Sequence, residues 1–281
     1  METATLRKRL MAAGGLKVEP KMVKAGNINT FYLSAGEGEP LVLLHGAGGG
    51  AVLWGSIIDL LSKHFHVIAP DVVGYGESDK PGALYDKKFF SSWFCRFCDS
   101  LNMGKINLLG NSQGGAISIQ FALENPDRIK KLILVDSAGL GRWGISPGAM
   151  FNMVAANIFP TRRTVQKIVK YLVYKTDHFP YPDGIDYLVE VIRSTGGKFP
   201  FLKGKGRAVA PFSLDELRQI KSPALIIWGA KDRILPLSHG KKGYEKIPDA
   251  RLRIIHDAGH TPFIDAPEEF KDIVLHFIKT S

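Results

Sequence analysis

Six short apolar runs recur along the chain, at Leu41–Leu44, Val67–Ala69, Ile106–Leu109, Leu132–Val135, Ala224–Trp228 and Leu252–Ile255. They do not alternate apolar with polar residues. Runs of that kind, bounded by Gly, Pro or Asp, suit strands covered on both faces of a parallel sheet. Parallel neighbours need long crossovers, and helical patterns fill the gaps at Val52–Lys63, Asp86–Leu101, Gln113–Glu124 and Leu237–Lys246. A last helix is predicted over Pro267–Lys279, with Phe270, Ile273, Val274, Phe277 and Ile278 on one face. Lys21–Lys24 and Thr30–Leu33 read as the arms of a hairpin around Ala25-Gly26-Asn27. The fold class that satisfies all of this is α/β, a doubly wound and mostly parallel sheet.

One stretch breaks the rhythm. From Leu140 to Leu214 no strand-like run occurs, and helical patterns appear at Pro147–Ile158, Arg163–Lys175 and Gly184–Ser194. A gap that long is better read as an inserted helical cap than as a loop. The expected division is a discontinuous core of residues 1–139 and 215–281, with a cap at 140–214. Met150, Phe151, Met153, Val154, Ile158 and Phe159 supply either the interior of that cap or the lining for an apolar substrate.

The chain of 281 residues is 45% hydrophobic and 23% charged, which suits a folded domain and argues against extensive disorder. Lys and Arg outnumber Asp and Glu by 37 to 27. No nucleic-acid motif accompanies that excess, so it is read as a basic but unspecialised surface, with no nucleic-acid partner. Its densest cluster, Arg7-Lys8-Arg9, falls in an N-terminus expected to be mobile. The only cysteines, Cys95 and Cys98, lie in an aromatic helical pattern without a preceding strand or a second ligand pair, and are expected to be reduced core thiols. No apolar run reaches the roughly 18–20 residues of a membrane span, so stable membrane insertion is not expected. Leu10-Met11-Ala12-Ala13 is too short for a signal-peptide core. The expected location is cytoplasmic, with a targeting role for residues 1–15 and homo-oligomer formation both left open.

The sharpest local signal is Ile106-Asn107-Leu108-Leu109-Gly110-Asn111-Ser112-Gln113-Gly114-Gly115. An apolar strand runs into Gly-x-Ser-x-Gly and then into a helix, the context a nucleophile elbow requires. The turn strains the serine backbone, and the flanking glycines let neighbouring chain pass close by. Ser112 is therefore the candidate nucleophile.

A serine hydroxyl needs a base at neutral pH, and the base needs an acid to fix its tautomer. Among the downstream histidines, His260 follows the last apolar run directly, at a strand's carboxyl end where ligands bind in open α/β sheets. His256 is expected to pack at the strand end, and His276 belongs to the terminal helix. Asp232 follows Ala224–Trp228 and is the preferred acid; the rival is Asp136, at the end of Leu132–Val135. An oxyanion hole is expected from the backbone N–H groups of Gln113 and of Ala47, in the Gly-rich loop after Leu41–Leu44. That loop fits a dinucleotide fingerprint only loosely, and no His-Glu-x-x-His occurs, so no cofactor and no metal are expected.

With these motifs in hand, the chain resembles the α/β-hydrolase superfamily. The resemblance rests on His45-Gly46, the run from Asp71 to Asp79, Gly110–Gly114, Asp232 and Gly259-His260. It implies a hydrolase acting on a small-molecule substrate through Ser112, His260 and Asp232. A serine at the elbow separates this chain from the haloalkane dehalogenase and epoxide hydrolase branches, which place Asp there. Carboxylesterases are one remaining branch. Hydrolases that cleave a C–C bond in ring-fission dienones of aromatic catabolism are the other, suggested by Gly110–Gly115, Ala138–Gly141 and Asp232–Gly240. The C–C branch implies a substrate-binding cap arginine, for which Arg193 is the candidate. Its oxyanion-segment Asn aligns with Ser56, which makes Ser56 a second substrate-binding candidate, and its Trp after the catalytic histidine is replaced by Thr261. Those departures put ester hydrolysis first and C–C hydrolysis second.

Overall fold

The computed structural model describes residues 2–142, 145–180 and 182–280. Its strands are β1 (Glu19–Ala25), β2 (Ile28–Ala35), β3 (Pro40–Leu44), β4 (His66–Pro70), β5 (Ile106–Asn111), β6 (Ile129–Val135), β7 (Ala224–Gly229) and β8 (Ala250–Ile255). They form one sheet in the order β1-β2-β4-β3-β5-β6-β7-β8. The β1–β2 hairpin and the β2–β4 pair are antiparallel, and every pairing from β4 onward is parallel. The six apolar runs are thus the six parallel strands. β5 and β7 are buried at every position, as strands covered on both faces must be. The edges are guarded differently: β1 carries Pro20, Lys21 and Lys24, and β8 carries Arg251 and Arg253, residues that discourage further strand addition.

The helices, in chain order, are α1 (Thr3–Ala13), α2 (Gly55–Leu61), α3 (Lys87–Ser100), α4 (Gln113–Glu124), α5 (Pro147–Ile158), α6 (Arg162–Leu172), α7 (Asp183–Arg193), α8 (Phe199–Gly204), α9 (Leu214–Arg218), α10 (Leu237–Lys246), α11 (Pro262–Asp265) and α12 (Pro267–Lys279). α3 starts where Asp86 accepts the Phe89 N–H at 2.8 Å, an N-cap. It buries Phe90, Trp93, Phe94 and Phe97, and Phe94 meets Phe121 of α4 edge-on at 4.8 Å. Both cysteines ride on this helix as free thiols; burial pushes the Cys98 thiol far up, so it stays protonated and unreactive. Among the described residues, no helix is long and apolar enough to cross a membrane.

β6 and β7 pair directly, yet α5 to α9 lie between them in the chain. The long stretch between these sheet neighbours is thus occupied by helices. The N-terminus departs from expectation. Residues 3–13 form α1, which buries Leu6, Arg7 and Leu10 and packs on α7. Arg7 is 5% exposed, forms an ion pair with Glu77, and stacks its guanidinium 4.6 Å above the Phe31 ring. Arg9 reaches Asp183 at the start of α7. Two of the basic cluster's three charges, those of Arg7 and Arg9, find half-buried carboxylates on distant segments.

Candidate active site

The carboxyl ends of β3, β5, β6, β7 and β8 meet on one edge of the sheet, and each delivers one part of the site. β5 hands the chain to α4 through Ser112, whose backbone stands at φ 53°, ψ −116°. Few L-residues hold such angles without strain. The neighbours explain how the turn is held. The Ser112 N–H donates to the Val135 carbonyl and the Ala138 N–H donates to the Ser112 carbonyl, both at 3.0 Å. A Cβ on residue 110 would come within 2.3 Å of the Gly114 carbonyl oxygen, and one on residue 114 within 2.1 Å of the Leu44 oxygen. Glycine is required at both positions because backbone occupies the space a side chain would need.

Asp232 follows β7 and His260 follows β8. The Asp232 Oδ1 accepts the N–H groups of Ile234 and Leu235 at 2.7 and 3.0 Å, which leaves Oδ2 for the His260 Nδ1 at 2.8 Å. Both side chains are almost fully buried. A carboxylate on Nδ1 fixes the proton there and leaves Nε2 as the basic nitrogen. His260 and Ser112 line the same cavity. The Ser112 hydroxyl has no hydrogen-bond partner among the described residues. Free hydrolases commonly close that contact only around substrate. The elbow is also tied to the histidine loop: the Asn111 side-chain amide donates to the carbonyls of Val135 and His260, at 3.1 and 3.0 Å.

The rival acid is close by. Asp136 directly follows β6 at φ 41°, is fully buried, and accepts the Gly229 N–H at 2.9 Å. Asp136, Asp232 and His260 each offer an atom within 4.8 Å of the others, the composition of a cation site. The 2.8 Å His260–Asp232 separation is that of a hydrogen bond, whereas ligands about 2.0–2.1 Å from one shared ion stand farther apart. These residues do not fit a metal.

The loop after β3 brings Gly46 against Ser112. Ala47 and Gln113 both line the cavity, and neither backbone N–H meets an acceptor among the described residues. Two buried residues hold this loop. His45 Nε2 accepts the Val72 N–H at 2.9 Å while Nδ1 donates to the Gly46 carbonyl at 2.8 Å, which defines a neutral ring; burial pulls its pKa down to about 4. Asp71 accepts the N–H groups of Ala51 and Glu77 at 2.6 and 2.7 Å. Burial still outweighs those bonds and pushes its carboxyl up to about 6.

The cavity encloses about 620 Å³ and is walled by the helical excursion, through residues such as Met153, Val165, Leu188 and Phe201. Two residues expected at the substrate stand elsewhere. Arg193 is exposed, donates from Nε to the Pro160 carbonyl at 2.7 Å, and is absent from the wall that its neighbour Ile192 joins. One residue along a helix turns a side chain by about 100°, which suffices to exclude it. Ser56 donates to the Phe263 carbonyl at 2.6 Å and does not line the cavity. Its hydroxyl fastens α2 to α11. The cations that do line it, Arg142 and Lys205, together with the half-buried His239, were not singled out as site residues from the sequence.

Asp265 is a further omission. It is fully buried on α11 and accepts the N–H of Gly259 at 2.7 Å, of Lys175 at 2.7 Å and of Tyr174 at 3.0 Å. One carboxylate thus joins the histidine loop to the chain just after α6. Its partners at 174 and 175 are some ninety residues away in sequence, so no local pattern could have disclosed it.

A family model described as "alpha/beta hydrolase fold" matches residues 39–267. The 2-hydroxy-6-oxo-2,4-heptadienoate hydrolase of Pseudomonas putida is 29% identical over 92% of this chain and 95% of its own. Lipase 1 of Psychrobacter immobilis is 30% identical over 90% of this chain and 78% of its own. The naproxen esterase (carboxylesterase NP) of Bacillus subtilis superposes with a TM-score of 0.88, covering 99% of this chain and 97% of that one, at 18% identity. That last likeness concerns the fold alone.

Proposed function

Given that the chain belongs to the α/β-hydrolase fold family, we propose that it is a serine hydrolase of small to medium carboxylic esters. The observation that carries this reading is the buried 2.8 Å bond between Asp232 and His260, which shares one cavity with Ser112 and with two amides that meet no acceptor among the described residues. In the proposed mechanism the Ser112 Oγ attacks the ester carbonyl carbon while His260 Nε2 takes its proton. The Ala47 and Gln113 N–H groups hold the oxyanion that forms. Collapse of the tetrahedral species expels the alcohol, which leaves with the proton from His260. Water, deprotonated by the same nitrogen, then releases the acid and restores Ser112. Residues 140–214 act as the cap that selects the acyl and alcohol groups, over a core of 1–139 and 215–281. The test is turnover of p-nitrophenyl acetate and butyrate by wild type and Ser112→Ala: activity is expected only in the first, and equal activity in both would sink the reading.

A second reading, C–C hydrolysis of a ring-fission dienone, is supported by the Pseudomonas putida relative and by Arg142 and Lys205 in the cavity wall. Either cation would pair with the carboxylate of such a substrate, whereas Arg193, the expected cap arginine, lies off the wall. It ranks second because Ser56 and Arg193 stand outside the cavity. Loss of the dienone's visible absorbance, faster with wild type than with Ser112→Ala, would promote it to first.

A further inference from the structure

Asp136 is a buried carboxyl beside the triad for which the mechanism above has no use. Its Oδ1 accepts the Gly229 N–H, whereas its Oδ2 is buried without a hydrogen-bond partner among the described residues. The neighbours facing it are Asp232, His260 and Asp265. An ionised carboxylate only accepts hydrogen bonds. Two ionised carboxylates side by side in a dry interior would leave one oxygen orphaned and two like charges unscreened. Both defects vanish if one of the pair carries a proton.

Which carboxyl carries it follows from the donors each receives. Asp232 accepts two amides and the imidazole Nδ1–H, so both of its oxygens already serve as acceptors. Asp136 accepts a single amide. We propose that Asp136 is a neutral carboxylic acid that donates its proton to the Asp232 carboxylate, extending the Asp232–His260 pair into a chain of three. Burial first, and then the charge of Asp232, drive the Asp136 carboxyl well above the usual carboxylate range, in agreement with that geometry. Asp136 never touches substrate on this view. It is a positioning residue: it steadies Asp232 as a neutral neighbour, and adds no second negative charge beside His260.

The proposal rests on the triad assigned above, so its test must not depend on knowing the ester. Diisopropyl fluorophosphate labels an activated serine, and intact-mass spectrometry gives the labelling rate of Ser112 at each pH. Asp136→Leu keeps the volume but removes the donor, and its rate is expected to fall at least about tenfold. Asp136→Asn offers a neutral N–H donor in the same shape and is expected to recover the rate to about a third of wild type. The acid-side midpoint of its rate–pH curve should stay within about 0.3 unit of wild type. If Asp136 were ionised, Asp136→Asn would delete a charge close to the imidazole, and that midpoint would move down by about one unit or more. Such a shift, or a loss in Asp136→Asn as large as in Asp136→Leu, overturns the proposal. Should Asp136→Leu fail to fold by circular dichroism, the Asp136→Asn midpoint decides alone. Wild-type protein that takes no label removes the triad itself, a failure distinct from an Asp136 result.

Discussion

The Asn111 side-chain amide donates to the His260 carbonyl at 3.0 Å, so the residue before the nucleophile holds the loop that carries the base. The same amide reaches Val135 at the end of β6. One side chain therefore registers three strand ends against one another. Asn111→Ala should lower kcat about 10- to 100-fold while moving KM little, because substrate contacts survive and only the Ser112–His260 alignment slackens. Steady-state kinetics on a p-nitrophenyl ester checks this. Asn111 also lines the cavity, and a change confined to KM would show that it acts through substrate contact rather than alignment.

Strain at Ser112 gives a prediction about stability. At φ 53°, ψ −116° an L-residue costs about 1–3 kcal/mol, whereas glycine adopts such angles freely but loses about 0.5–1 kcal/mol in chain entropy. Ser112→Ala and Ser112→Gly should both be inactive, yet the glycine variant should be more stable than the alanine variant by about 1 kcal/mol. Urea denaturation of the pair measures it, and identical midpoints would mean that the elbow stores no strain.

The two acids near His260 separate by substitution. Asp232→Asn keeps the shape but can no longer hold the Nδ1 tautomer, and kcat/KM should fall about 10³- to 10⁴-fold. Asp136→Asn should fall no more than a few fold in the same assay. Equal losses at the two positions would make the acid assignment untenable.

These contrasts also mark what the sequence disclosed. The strands, the elbow and the order Ser112, Asp232, His260 were legible because each depends on local pattern and on chain order. α1 was not, since its charges are held by partners such as Glu77 and Asp183 far along the chain. Arg193 and Ser56 stand off the cavity wall for a related reason: knowing that a helix exists does not give its rotation about its own axis. Asp136 and Asp232 competed for one role in the sequence; in space they are neighbours.

Asp265 joins the histidine loop to the chain after α6 through three N–H groups, that of Gly259 buried and those of Tyr174 and Lys175 partly buried. Asp265→Ala leaves all three without an acceptor, at a cost of about 1 kcal/mol or more apiece. A fall of about 3 kcal/mol in unfolding free energy is expected. KM should rise as well, since Leu172 and Val173 of the cavity wall precede the released segment. Full stability in this variant would mean that water replaces the carboxylate.

His45 and Asp71 set opposed pH dependences in one window. The folded His45 has its pKa depressed from 6.5 to about 4, so the unfolded chain binds the extra proton between those values. Its contribution to stability is complete above pH 6.5 and is lost as pH falls toward 4, amounting to about 3 kcal/mol. Asp71 is shifted the other way, from 3.8 up to about 6. Its contribution is complete below pH 3.8 and is lost as pH rises through 6, again by about 3 kcal/mol. Between pH 6 and 4 the two nearly cancel in the wild type. Asp71→Asn removes one side of the balance, and its unfolding free energy should fall by about 3 kcal/mol more than that of wild type between pH 6.5 and 4. His45→Gln removes the other side, and its stability relative to wild type should rise over the same descent. Urea titrations at pH 4, 5, 6 and 7 give both curves; variants that track the wild type in parallel would show that neither group titrates in the folded protein as its burial requires.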